Sequence, residues 1–282
     1  RMEWNGQKLL NKKMKLRKNA PLLFNLAELQ AECSRLFKIG PDRTLELAQS
    51  LYEKKLTTYP RTDARVLTTA VAAEIHKNIE GIRGYSVTTG NVEEILSNGW
   101  YRGLDKTKYA DDSKISDHYA IIPTGDISEY ESLKFDEKSV YELIVRRFLS
   151  VFYPPAVYEQ ISLEMAAGTE RFFASDKILA DPGYMKVAGI PKSDKEQKSL
   201  AMYENISKGQ SLGCKYCIEK GTTSPPKRYT SGSIILAMEN AGNLIEDEDL
   251  RAQIKGCGIG TSATRAETYK KLLTIGYSNA DK

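Results

Sequence analysis

Residues 57–63 read TTYPRTD, and they put a phenol, a stiff proline and a guanidinium side by side as Tyr59, Pro60 and Arg61. A tyrosine with a pKa near ~10 is a poor base. It is a suitable nucleophile where the bond made must be reversible, because attack on a DNA phosphate exchanges one phosphodiester for another of similar energy. In an extended segment, residues two apart leave the same face, so Arg61 could neutralise charge building on the attacked phosphate. The same residues also fit a plain strand end, in which Tyr59 packs and Arg61 pairs with Asp63.

Two other stretches carry chemistry of the same kind. KISDHYAIIPT holds His118, one of two histidines in the chain, and suits a phosphate contact, a proton carrier or a satisfied structural histidine. GIGTSATRAETYKKLL runs from a glycine-rich turn through Thr261, Ser262 and Thr264 into a helix, with Arg265 at its start and capping-box spacing from Thr264 to Glu267. Free N–H groups and the helix dipole make such a start a phosphate seat, although an ordinary loop-to-helix junction reads identically. There is no GxxxxGK[ST] loop. GCGIGT at 256–261 lacks the third glycine of a dinucleotide fingerprint and follows a helix-like stretch, so no nucleotide triphosphate site is expected.

The elements that must position these groups follow from periodicity. PLLFNLAELQAECSRLF begins a helix with Asn25 as cap, Glu28 completing a box, and Leu26, Leu29, Cys33 and Leu36 or Phe37 on one face. A second helix after GPD carries Leu45, Ala48, Leu51 and Tyr52. LTTAVAAEIHKNI reads as one helix, and SVYELIVRRFLSVF as another with a Ser139–Glu142 box, stopped by the prolines after Tyr153. From Ala156 to about Lys220 the texture changes to alternation, which is the pattern of antiparallel strands; there Leu212, Cys214, Tyr216 and Ile218 suggest one buried strand face. Helical period returns from about residue 223.

Composition sets the outer bounds. With 282 residues, 41% hydrophobic and 28% charged, the chain has the makeup of a globular protein with room for about two domains. It has no run approaching a membrane span, and a cytoplasmic setting, with no membrane partner, is expected. The net charge of +4 is too small to announce a nucleic-acid binder, but six basic residues fall between Lys8 and Lys18. Four cysteines with a single CxxC pair do not complete a zinc site and fit a reducing compartment. The chain opens at Arg1, and the reading treats it as a piece of a longer protein.

Taken in order, LTTYPRTDARVL, SDHYAIIPT, PPKRYTSGSIILAMENAG and GIGTSATRAETYKKL resemble segments of the type IA DNA topoisomerases, in particular the bacterial topoisomerase III branch. The resemblance runs over roughly Pro21 to Tyr277. It implies an α+β multidomain fold: a mostly helical tyrosine-bearing domain (21–154) inserted in a strand-rich arch domain (1–20 and 155–222), followed by part of a helical base domain (223–282). It implies that Tyr59 forms a 5′-phosphotyrosine, that Arg61 stabilises the scissile phosphate, and that His118 lies at the cleavage site. Lys54, Arg65, Thr261, Ser262, Thr264 and Arg265 are the expected DNA contacts. The implied reaction is ATP-independent cutting and rejoining of one DNA strand with strand passage, relaxing or decatenating DNA. The implied partners are single-stranded or underwound DNA and a helicase; the implied state is a monomer at the bacterial nucleoid.

The resemblance also implies Mg²⁺ held by an N-terminal Toprim domain through a DxDxE cluster. This chain has no such cluster: Asp247 and Asp249 are followed by Arg251 where a glutamate is needed, and the stretch reads as a solvated helix start. The metal half of the site is therefore expected outside this chain, and the chain alone is expected not to cut DNA. The alternative is a non-catalytic single-strand-binding module on the same scaffold, using Lys8 to Lys18 and the helix start near Thr264.

Overall fold

The computed structural model describes residues 3–167, 169–189, 209, 212–215, 217–245, 248, 250 and 258–278. The chain folds as two compact units, Arg1–Ala20 with Tyr153–Pro226, and Pro21–Phe152 with Lys227–Lys282. The sequence suggests three parts; here the helical piece from residue 227 belongs to the same unit as the tyrosine-bearing helices. The stretch around Asp247, Asp249 and Arg251 lies outside the described residues.

The first unit is an antiparallel sheet of order β3-β2-β1-β4. Its strands are β1 (Glu3–Lys18), β2 (Ala156–Ala167), β3 (Glu170–Asp181) and β4 (Leu212–Lys215). β1 pairs with β2 from Lys18↔Ala156 to Gln7↔Ala166, and its first residues pair with β4. The basic N-terminal run is therefore a long central strand, with Lys15, Arg17 and Lys18 exposed. After β3 the chain turns through Gly183 at φ +46, where an added Cβ would stand 2.5 Å from the Pro154 carbonyl oxygen; only glycine fits. The expected buried face of the CxxC run does not extend as the alternation suggests. β4 stops at Lys215, Cys217 is exposed and Ile218 is 97% exposed, while Tyr216 lies outside the described residues.

The second unit is helical. α1 (Leu26–Phe37) starts as its sequence predicts, with Asn25 Oδ1 accepting from the Glu28 N–H at 2.9 Å, but Glu28 spends its carboxylate on Arg65 instead of closing the box. Leu26, Leu29 and Cys33 are buried; Leu36 and Phe37 are not, because the helix ends at Lys38 in the left-handed region. α2 (Pro41–Glu53) buries Thr44, Leu47, Ala48 and Leu51 and leaves Tyr52 exposed, contrary to its expected place on the core stripe. The single helix expected from LTTAVAAEIHKNI is two short ones, α3 (Thr69–Ala73) and α4 (His76–Gly81), divided where the Glu74 N–H tightens onto the Val71 carbonyl. α5 (Thr89–Asn98) follows.

α6 (Phe135–Ser150) begins four residues before the expected Ser139 cap. Glu137 reaches back to the Lys134 N–H at 2.8 Å, and Ser139 bonds the Phe135 carbonyl from within the helix. Val140, Tyr141, Ile144, Val145, Phe148 and Leu149 of this helix fill the core. α7 (Ser231–Glu239) is capped reciprocally by Thr230 and Ser233. It lies against α1 so closely that a Cβ on Gly232 would fall 2.8 Å from Ala31 Cα. Ala27, Ile235 and Met238 form a shared core there, with Tyr269 of α8 (Arg265–Thr274) packed on it. That packing explains why the C-terminal piece does not stand apart.

Candidate active site

The tyrosine segment is held by its threonines. Thr58 donates its N–H to the Ile122 carbonyl at 2.9 Å, and its hydroxyl both donates to Ala120 O at 2.9 Å and accepts from the Ile122 N–H at 3.0 Å. Thr62 Oγ1 donates to the His118 carbonyl at 2.7 Å, and the Thr124 N–H reaches Leu56 O at 3.1 Å. These bonds lace residues 56–62 to 118–124 without forming a strand. The rings of Tyr59 and His118 are thereby brought to 4.4 Å between centroids. His118 Nε2 stands 3.2 Å from an oxygen of Asp117.

Arg61 is placed differently from the simple alternation. The Thr62 N–H bonds back to the Pro60 carbonyl at 3.0 Å, a three-residue turn centred on Arg61, so the two-residue period of an extended segment does not carry across it. Arg61 is exposed and makes no hydrogen bond or ion pair among the described residues. The pairing with Asp63 offered by the strand-end reading is not formed, because Asp63 Oδ1 accepts from Arg265 at 2.9 Å.

Tyr59 and His118 open onto a cavity of about 520 Å³, lined also by Tyr52, Glu53, Lys55, Thr57, Thr58, Tyr119 and Thr124. Tyr52 stands edge-on to Tyr59 with centroids 5.3 Å apart. Sequence reasoning missed Tyr52, Lys55, Thr57 and Tyr119. Tyr52 shares helical spacing with core residues, and Lys55 turns toward the site only because its backbone takes φ +59 just past α2. The one signal available was their closeness to Tyr59 and His118 along the chain. Cys33 has no place in this chemistry: burial pushes its thiol up to about 12.

The remaining expected contacts are engaged within the protein. Arg265 is 4% exposed; besides Asp63 it donates to the carbonyls of Ile259 and Gly260 at 3.3 and 3.2 Å, and it lies 3.8 Å from Glu239. Glu239 in turn accepts from Asn25 at 2.7 Å, and burial raises its pKa despite Arg265. Lys54 bonds Glu137 at 2.8 Å, and Arg65 pairs with Glu28 at 2.5 Å while donating to Leu23 O. Burial pushes the Glu137 carboxyl up, but donation from Lys54, Ser50 and the Lys134 N–H outweighs it and holds the group at about 2. At the start of α8, Thr264 Oγ1 accepts from the Thr261 N–H instead of capping, so the Thr264–Glu267 box is not made. Thr261 and Thr264 remain exposed, and Ser262 is buried. No described helix is long and apolar enough to cross a membrane.

Comparison with known proteins places these features in a family. The DNA topoisomerase family model matches residues 8–282. The DNA topoisomerase 3 of Bacillus licheniformis is 34% identical over 260 residues, 90% of this chain and 35% of that protein, and the Bacillus subtilis DNA topoisomerase 3 is 34% identical over 263 residues with the same coverage. The chain thus spans about a third of the curated relatives it matches. The full-length topoisomerase I structure from Thermotoga maritima superposes with a TM-score of 0.64 at 23% identity, over 99% of this chain and 42% of that one, and so shares the mixed α+β fold. With a family model matched across nearly its whole length, this chain belongs to the bacterial type IA DNA topoisomerases.

Proposed function

We propose that this chain is the tyrosine-bearing portion of an enzyme that cuts one DNA strand, holds it as a 5′-phosphotyrosine and reseals it. Tyr59 Oη attacks the phosphorus, the P–O3′ bond breaks, and the phenol's proton ends on the departing 3′ hydroxyl; resealing runs the same path backwards. One phosphodiester replaces another, so no nucleotide triphosphate is consumed. Arg61, exposed and making no hydrogen bond or ion pair among the described residues, neutralises charge on the phosphate oxygens, and His118 contacts the phosphate. The observation that carries the reading is the ring contact of Tyr59 with His118 on one cavity, fixed by the threonine bonds of two separate stretches.

The family generally uses Mg²⁺. Among the described residues no group of three or more His, Cys, Asp or Glu side chains is placed to hold a metal ion, so no step is assigned through one by these residues. The substrate class is single-stranded or underwound DNA, and relaxation or decatenation is the outcome for the whole enzyme, acting as a monomer or with a helicase.

The test uses the complete gene product with end-labelled single-stranded DNA and a detergent or alkali trap. A covalent adduct is expected from the unaltered protein and none from Tyr59→Phe. An adduct that survives Tyr59→Phe would remove Tyr59 from the role. Salt-dependent binding with no adduct from either protein would favour the non-catalytic binding module.

A further inference from the structure

The cavity beside Tyr59 holds more than a nucleophile needs. At about 520 Å³ it lies within the ~300–1,000 Å³ typical of ligand sites, far more than the attacked phosphate itself would fill. Its walls are aromatic, from Tyr52, Tyr59, His118 and Tyr119, with Thr58 and Thr124 at hand for hydrogen bonds. Another lining residue, Thr57, is 1% exposed, yet its hydroxyl is buried with no hydrogen-bond partner. Glu53 adds a carboxylate to the wall, which disfavours an anion there, while Lys55 adds an ammonium with no hydrogen bond or ion pair among the described residues.

We propose that this cavity is a nucleobase subsite: it takes the base of one nucleotide flanking the phosphate that Tyr59 attacks, stacked on the aromatic wall of Tyr52 and Tyr119, with Lys55 on the adjoining backbone phosphate. The inference rests on the function proposed above and deepens it. An aromatic wall accepts any base by its π-face, whereas a charged phosphate belongs with Lys55 and away from Glu53. Tyr52, 40% exposed and outside the core, is then a binding residue for DNA that also borders the nucleophile.

The test separates the subsite from the chemistry by measuring binding in the complete gene product carrying Tyr59→Phe, which cannot form the adduct. A single abasic residue is moved along a short fluorescent single-stranded oligonucleotide, and the same series is measured with Tyr52→Ala added. Expected is one position at which removing the base weakens binding about tenfold, equivalent to about 1.4 kcal/mol. Tyr52→Ala should produce a similar loss on the intact oligonucleotide and little further loss on the abasic one, because base and ring act as a pair. Tyr52→Phe keeps the ring and should retain binding, and an unchanged unfolding midpoint for Tyr52→Ala shows that its loss is not one of fold. Losses that simply add, or an abasic scan that is flat, overturn the subsite. Failure of the unaltered enzyme to form a Tyr59 adduct would overturn the proposed reaction instead and leave this binding result to be judged by itself.

Discussion

Two regions around the tyrosine segment carry cations that a sequence reader would assign to DNA, and the fold treats them in opposite ways. Beside Tyr59, the Arg61 guanidinium and the Lys55 ammonium, the latter on the cavity wall, make no hydrogen bond or ion pair among the described residues, while hydrogen bonds from Ser128 and the Lys55 charge hold the Asp126 carboxyl below its usual range. Behind it, Arg265, Arg65 and Lys54 are consumed by Asp63, Glu28 and Glu137 and by backbone carbonyls. A cation whose donors already meet carboxylates and carbonyls of the protein holds the scaffold; one left unmet beside the nucleophile is available to a phosphate. Residue type and closeness to the nucleophile do not distinguish these cases. The partners do, and they come from elements far away in the sequence.

The sharpest way to break that contrast is to remove Arg265. Its guanidinium is 5% exposed and links Asp63, four residues beyond the nucleophile, to the turn before α8. Arg265→Ala leaves the half-buried Glu239 with no cation against it among the described residues and two carbonyls unmet, and should cost about 2–4 kcal/mol in a denaturant titration. Arg265→Lys should recover only part of this, since a single ammonium cannot span the fork of acceptors. A loss below about 0.5 kcal/mol for Arg265→Ala would place this arginine with the available cations instead.

Glu137 gives the next largest effect, and it has a pH signature. Its carboxyl sits at about 2 in the fold against an ordinary glutamate value of 4.5, so the folded protein favours the ionised form. That contribution is fully present above pH ~4.5 and is lost as pH falls toward 2; the shift corresponds to about 3 kcal/mol. Glu137→Gln should therefore lower stability by about 2–3 kcal/mol at pH 7. The gap to the unaltered protein should close between pH 4.5 and 2 when both are unfolded by urea across that range. A gap independent of pH would mean that the carboxylate's charge is not what ties Lys54 down.

What could be read from the sequence follows from the same distinction between local and distant causes. The Asn25 cap, the β-rich alternation after Ala156 and the buried positions of α1 depend on neighbours a few residues away, and they form as periodicity suggests. The start of α6 lies ahead of the Ser139–Glu142 pair because Glu137 takes the Lys134 N–H and is itself fixed from outside, by Ser50 of α2 and Lys54 just past that helix. Tyr59 and His118 could each be nominated from their motifs. Their ring contact could not, since it depends on threonine bonds between two stretches that share no sequence period. The partner of Arg265 is equally illegible: a helix start rich in hydroxyls reads as an anion seat, and the Asp63 carboxylate that accepts from its guanidinium lies 202 residues away.

The smallest expected change in stability belongs to Arg61, and it makes the comparison decisive. Arg61→Ala removes no hydrogen bond or ion pair among the described residues and should leave the unfolding free energy within about 0.5 kcal/mol of the unaltered protein. In the complete gene product the same change should slow adduct formation by about 10²-fold or more, because charge on the attacked phosphate would go unneutralised. It should also flatten the dependence of log affinity for single-stranded DNA on log salt by about 0.7, the share of one phosphate contact. Arg265→Ala, by contrast, should lose stability while leaving that slope unchanged per molecule folded. If Arg61→Ala instead destabilised the protein and left the salt slope alone, its guanidinium would be one more piece of scaffold, and exposure beside the nucleophile would no longer mark a residue that waits for DNA.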